Sequence, residues 1–261
     1  MEESKKKDTL VILTRCSRPT YIKKVAESVV NLWQQIESQM DENIIKIYHV
    51  IIFDKYKLTK EQMRSIVDEV KELYYWEMGI SLMIEYRGKK NDTKYGTTML
   101  VESVNNLMSR FSEDFDPWVY ILDDDNVIHP NFAQVLFNHM NENGCLIFGQ
   151  DRHMLRLSGE DKHEDCILSF DNLFKDVDGY ITENMNQMPI HNHPDSAQFL
   201  FRYWTLIDIG NYADVNYCVD FQTIMKMFLK QKEKIIFDSI IASYYNALES
   251  CLLYTSDAAD D

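Results

Sequence analysis

Apolar residues fall three and four positions apart at Ile22, Val25, Val29, Leu32 and Ile36, a spacing that predicts an amphipathic helix with one buried stripe. Pro19 and Thr20 open it. On either side the pattern changes to short, unbroken apolar runs. Thr9–Thr14 ("TLVILT") reads as a buried strand, and Ile44–Phe53 ("IIKIYHVIIF") is too apolar and β-branched for a half-exposed strand, which predicts a central one. Thr59 and Gln62 have capping-box spacing ahead of a second helix carrying Met63, Ile66, Val67, Val70 and Leu73. Ile80–Tyr86 is a third strand, Leu100, Val104, Leu107 and Phe111 mark a third helix, and Trp118–Leu122 ("WVYIL") is a fourth strand.

Alternation this regular predicts βαβ units, hence an α/β fold with a mainly parallel central sheet and helices on both faces. Ligands in such sheets bind at the carboxyl ends of the strands. Thr14–Arg18, Asp54 and Asp123–Asp125 all follow strands and so converge on that edge. The second half is less regular. Cys145–Gln150 and Ser196–Trp204 read as strands, and Asp220–Gln231 as a helix with Phe221, Ile224, Met225 and Phe228 facing inward. "KIIFD", Lys234–Asp238, is a last short strand. The expected organisation is a leader over 1–8 and a single domain over 9–250, made of a regularly alternating half (9–126) and a mixed half (127–250).

Composition narrows the class. The net charge of −15 argues against nucleic acid, whose phosphates need clustered Lys and Arg. Five scattered cysteines, with no CxxC pair, argue against a disulfide framework or structural zinc and for a reducing compartment. The charged N-terminus shows no signal peptide, and no apolar run reaches the ~18 residues that span a bilayer. A cytoplasmic protein is expected, with peripheral membrane association left open. The last eleven residues, "CLLYTSDAADD" (251–261), have no periodicity and resemble a translated sequencing adapter. They are read as a non-native tail, and without their three aspartates the chain remains acidic.

The chemistry concentrates in "WVYILDDDNVIHPNF", Trp118–Phe132. Adjacent carboxylates repel, so Asp123, Asp124 and Asp125 either sit in water as a solvated turn or surround a cation. Residues two apart on an extended chain point the same way, so Asp123 and Asp125 are suited to share one. Oxygen-only ligation fits Mg²⁺ or Mn²⁺ held together with substrate phosphates.

Here the sequence resembles a known family. "VYILDDDNVIHPNF" looks like the DXD segment of GT-A-fold glycosyltransferases, and "VILTRCSRP" (Val11–Pro19) looks like their first-strand loop around the nucleoside. The resemblance covers most of 9–248, with DDD its only sharp motif. It implies a GT-A-like architecture: a Rossmann-like nucleotide-binding half and an acceptor-side half. It implies transfer of a sugar from a nucleotide-diphosphate sugar to a saccharide acceptor, with a divalent metal on Asp125 and Asp123 neutralising the departing diphosphate. Asp123 would touch ribose or metal, Asp124 would support that contact, and Thr14, Arg18 and Asp54 would lie along the nucleoside. Lys94, in "DTKYGTTM", is a candidate phosphate contact or a solvated loop lysine.

"HNHPDSAQFLF", His191–Phe201, resembles a D-[ST]-x-Q segment of bacterial members. Asp220 is similar in position to the acidic base of inverting members, or is a helix N-cap, and Asp195 is the second candidate base. His191 and His193 are candidates to complete a metal shell, or turn histidines before Pro194. Trp118, Tyr203, Trp204 and Tyr217 include at most one sugar-stacking ring. Two competing functions remain. A sugar-1-phosphate nucleotidyltransferase wants a glycine-rich loop after the first strand, and "TRCSRP" contains no glycine. A non-catalytic nucleotide- or glycan-binding domain keeps the shape without turnover.

Overall fold

Strand β1 (Thr9–Cys16) is the centre of the first half, paired in parallel with β2 (Lys46–Asp54) on one side and β4 (Trp118–Ile121) on the other. In this computed structural model the described residues are 9–39, 45–90, 97–110, 115–124, 126–155, 161–174, 194–213 and 219–245. They form an eight-stranded mixed sheet in the order β3-β2-β1-β4-β7-β5-β6, with β8 paired to β5. Strand β3 is Ile80–Arg87, β5 Cys145–Leu155, β6 Asp161–Cys166, β7 Phe199–Arg202 and β8 Ile235–Tyr245. The β3-β2-β1-β4 block is parallel, and β7 joins it antiparallel to β4.

Period-two alternation splits the core into two layers. Leu10, Ile12, Trp118, Tyr120 and Leu122 pack on one face with helices α1 (Ile22–Ser38), α2 (Lys60–Tyr74) and α4 (Phe132–Asn138). Val11, Leu13, Val119 and Ile121 pack on the other with α3 (Thr97–Arg110), α5 (Phe170–Phe174), α6 (Tyr203–Asp208) and α7 (Val219–Gln231). All five predicted apolar positions of α1 are buried. The Thr59–Gln62 capping box forms as expected, with Gln62 N–H donating to Thr59 Oγ1 at 3.2 Å and Thr59 N–H to Gln62 Oε1 at 2.8 Å. Because α1 and α2 lie on one face and α3 on the other, the chain changes direction across the sheet between β1 and β4. That is the switch point where an open α/β sheet leaves a crevice.

Three expectations change. The single strand predicted over Ser196–Trp204 is a 3₁₀ turn (Ser196–Gln198), then β7, then α6. The Asp195 carboxylate caps the first turn by accepting from Ala197 N–H at 2.9 Å, and Trp204 N–H donates to Asp116 Oδ1 at 3.0 Å, so side-chain acceptors satisfy backbone N–H groups that a strand would have paired. The short strand at Lys234–Asp238 runs on to Tyr245, carried by parallel pairing with β5 through register shifts at Gly149. Trp118 and Tyr203 are core residues, with the Arg202 guanidinium 4.2 Å above the Trp118 ring, so neither faces a sugar. Tyr217 lies outside the described residues, as do Phe111, the leader and the C-terminal tail. Among the described residues no helix is long and apolar enough to cross a membrane. Cys16, Cys145 and Cys166 are buried free thiols.

Candidate active site

The aspartates that end β4 leave the sheet in opposite directions. Asp123 continues the parity of Val119 and Ile121, on the α3/α7 face, and Asp124 that of Tyr120 and Leu122, on the α1 face. Each meets an arginine from the end of β1. The Arg15 Nε donates to Asp123 Oδ1 at 2.8 Å, and its NH2 group to the same oxygen at 2.5 Å. Asp123 Oδ2 has no hydrogen bond among the described residues. Both side chains are about one-fifth exposed, so the pair opens onto solvent.

Asp124 is almost wholly buried, with both its oxygens engaged. Oδ2 accepts from Ser17 N–H at 2.6 Å, Arg18 N–H at 2.7 Å and the Ser17 hydroxyl at 3.3 Å. Oδ1 accepts from Arg18 Nε at 3.0 Å and NH2 at 2.6 Å. This carboxylate fastens the turn between β1 and α1 to the end of β4. Arg18, expected along a nucleoside, is the ion-pair partner of Asp124.

Two further carboxylates come to the same edge from the second half. Asp195 precedes the 3₁₀ turn, and Asp220 lies in the first turn of α7. Burial, followed by the neighbouring Asp195 charge, pushes Asp220 up to about 8, against the opposing pull of Arg15 and despite a hydrogen bond from Ser196. Burial and then the Asp123 charge also raise Asp195, opposed by the Ala197 N–H, Gln150 and Arg152. Asp195 is held by a buried amide–guanidinium network. Gln150 Nε2 donates to its Oδ1 at 3.0 Å. Arg152 donates to Gln150 Oε1 at 2.9 Å and to Gln198 Oε1 at 2.8 Å, and Gln198 Oε1 also accepts from Asp195 N–H at 3.2 Å. Asp195 Oδ2 is left without a hydrogen bond among the described residues.

Of the sequence-predicted residues, Asp123, Asp195 and Asp220 thus share one electrostatic cluster, with Asp124 and Arg18 immediately behind it. Thr14 lies on the other side of the sheet. Its hydroxyl is buried against His49 Nε2 at 2.9 Å, and His49 Nδ1 meets the Tyr74 hydroxyl at 2.6 Å. Asp54 ends β2, one strand away, and its Oδ1 accepts from Tyr56 N–H at 2.9 Å. Gly88 (φ +101°) lies so close that a Cβ there would sit 2.8 Å from the same oxygen. Asp125, Lys94, His191 and His193 lie outside the described residues. Among those described, no three His, Cys, Asp or Glu side chains form a ready metal-ligand set. The free oxygens of Asp123 and Asp195 are nonetheless the hard donors that Mg²⁺ or Mn²⁺ accepts.

Sequence reasoning did not find Arg15, Gln150 or Arg152. Arg15 was legible by parity, sharing a sheet face with Asp123. Gln150 and Arg152 lie two apart on a strand whose partner, the Asp195 turn, is 45 residues away from Gln150.

The fold is GT-A-like α/β, a mainly parallel sheet flanked by helices, and the carboxylate cluster lies at its switch point. Among solved structures, the chain is similar to the crystal structure of S. aureus TarS 1-349, with a TM-score of 0.53 and 14% identity. The match covers 91% of this chain but only 60% of that one. It is also similar to the apo form of mouse xyloside xylosyltransferase 1, with a TM-score of 0.45, 9% identity, and 88% and 85% of the two chains covered. No family model and no curated protein matches the sequence.

Proposed function

We propose that this protein is a metal-dependent glycosyltransferase that moves a sugar from a nucleotide-diphosphate sugar to a saccharide acceptor, such as a polysaccharide precursor in the cytoplasm. The observation that carries the reading is the meeting of Asp123, Asp195, Asp220 and Arg15 at the β1/β4 switch point of a GT-A-like sheet. A solvated acidic turn would not bring in carboxylates from two distant segments, nor orient one of them by a buried network.

Asp123, through Oδ2, and Asp125 would hold the divalent cation, whose chemistry is Lewis-acid stabilisation of the leaving diphosphate. The chain's own residues do the rest. Asp124 and Arg18 fix the loop that approaches the nucleoside. Asp220 takes the proton of the acceptor hydroxyl as its oxygen bonds to the anomeric carbon and the bond from that carbon to the diphosphate oxygen breaks. A carboxylate held near 8 is a far stronger base than an ordinary one, as this step needs. Asp195, whose charge is felt at Asp220 and which itself feels that of Asp123, is the second candidate.

The test is incubation with labelled nucleotide sugars in Mn²⁺ or Mg²⁺. Wild-type protein should release nucleoside diphosphate, and Asp220→Asn should lose ~10²–10⁴-fold in turnover while still binding the donor, the usual range for removing a general base. Tight nucleotide binding with no turnover of any donor would instead make this a binding domain.

A further inference from the structure

Arg15 sets an unusual condition on the cluster. Its guanidinium donates twice to a single oxygen of Asp123, Oδ1, and Oδ2 has no hydrogen bond among the described residues. The pair is about one-fifth exposed, so solutes reach it, and the positive charge of Arg15 is felt at Asp220 as well. A cation approaching Oδ2 therefore meets a carboxylate whose charge is already partly neutralised, with a guanidinium on its other oxygen. Cation and guanidinium repel, which weakens binding of a bare ion.

We propose that Arg15 makes divalent-cation binding conditional on the nucleoside diphosphate. This rests on the proposed function for the identity of the second ligand. A diphosphate carries negative charge that the ion and the guanidinium both attract, so its arrival turns their mutual repulsion into shared attraction. The two ligands then bind with positive coupling, and linkage makes that coupling equal in both directions. Arg15 acts here as a positioning residue, working through Asp123 and the ligand charge.

The experiment measures Mn²⁺ binding by loss of the free-ion paramagnetic resonance signal, each diphosphate arm being referred to the same Mn²⁺–diphosphate mixture without protein, because diphosphates chelate the ion in solution. Wild-type protein, Arg15→Gln and Arg15→Lys are compared, each alone and with UDP, GDP, ADP or CDP, after circular dichroism has verified folding. The wild type should bind Mn²⁺ about tenfold or more tightly when a diphosphate is present, within the usual span of coupling between sites. Arg15→Gln should bind bare Mn²⁺ about tenfold more tightly than wild type and lose most of the diphosphate enhancement. Arg15→Lys should stay close to wild type, because it keeps the charge. The two failures are distinct. If no diphosphate binds any of the proteins, the proposed function falls. If a diphosphate binds but Arg15→Gln holds bare Mn²⁺ no more tightly than wild type, the role of Arg15 alone is overturned.

Discussion

Replacing Asp124 by alanine tests whether this aspartate is a latch or a ligand. The change leaves the main-chain N–H groups of Ser17 and Arg18 without their acceptor, at a place where Asp124 itself is only 1% exposed. Each orphaned N–H costs ~1–3 kcal/mol. The Arg18 side chain is 31% exposed, so water resolvates its guanidinium and the ion-pair share is small. Together the loss should be about 2–6 kcal/mol, which for a domain of this size lowers the melting temperature by roughly 4–24 °C. Urea denaturation of wild type, Asp124→Ala, Arg18→Ala and the double variant gives the value. The double variant should cost about 1 kcal/mol less than the two singles summed, because each removes the same pair. A loss under ~1 kcal/mol in Asp124→Ala, joined to abolished nucleotide binding, would refute the latch and make Asp124 a ligand-facing group.

Burial holds His49 down to about 3, against ~6.5 in the unfolded chain. The unfolded state therefore binds a proton that the folded state refuses, and this contribution is intact above ~6.5 and lost as pH falls toward 3. The stability gap between wild type and His49→Gln should shrink by about 2 kcal/mol from pH 7 to pH 5, and a constant gap in denaturant midpoints would count against it. Gly79→Ala places a Cβ 1.9–2.2 Å from the ring of the buried Trp33. It should cost at least ~1–3 kcal/mol and shift tryptophan fluorescence, and a stability unchanged within ~0.5 kcal/mol would contradict the packing. Arg152→Met should leave donor affinity intact and cut turnover up to about a hundredfold by loosening Asp195, measured as binding isotherm against rate. Equal losses in both would point to a general structural role.

Much of the first half was legible because its signals are local. The stripe of α1, the Thr59 capping box and the apolar runs of β1, β2 and β4 each announce themselves within about fifteen residues. The acidic motif was equally plain, and parity already separated Asp123 from Asp124. What stayed hidden is long-range pairing. The Asp123–Arg15 contact spans 108 residues, and although parity puts both on one sheet face, no local pattern pairs them. Thr14 reads as the last residue of its strand because the apolar run stops there, whereas the strand continues through Arg15 and Cys16 in register with Ile52 and Phe53. In the second half, strand lengths follow partners: β5 and β8 extend each other beyond what either apolar run predicts.

One edge of β5 changes partner midway. It pairs with β7 up to Ile147 and with β6 from Gln150, so among the described residues Phe148 and Gly149 have no strand neighbour on that side. The Gln198 side chain donates to the carbonyls of Phe148 and Cys166, both at 3.3 Å, and so stands in for the missing strand. A single carboxamide thus closes a seam in the sheet with one end and supports Asp195 with the other. Sheet integrity and the placing of Asp195 become the same constraint, and a drift to any residue lacking both a donor and an acceptor at position 198 would cost the protein both at once.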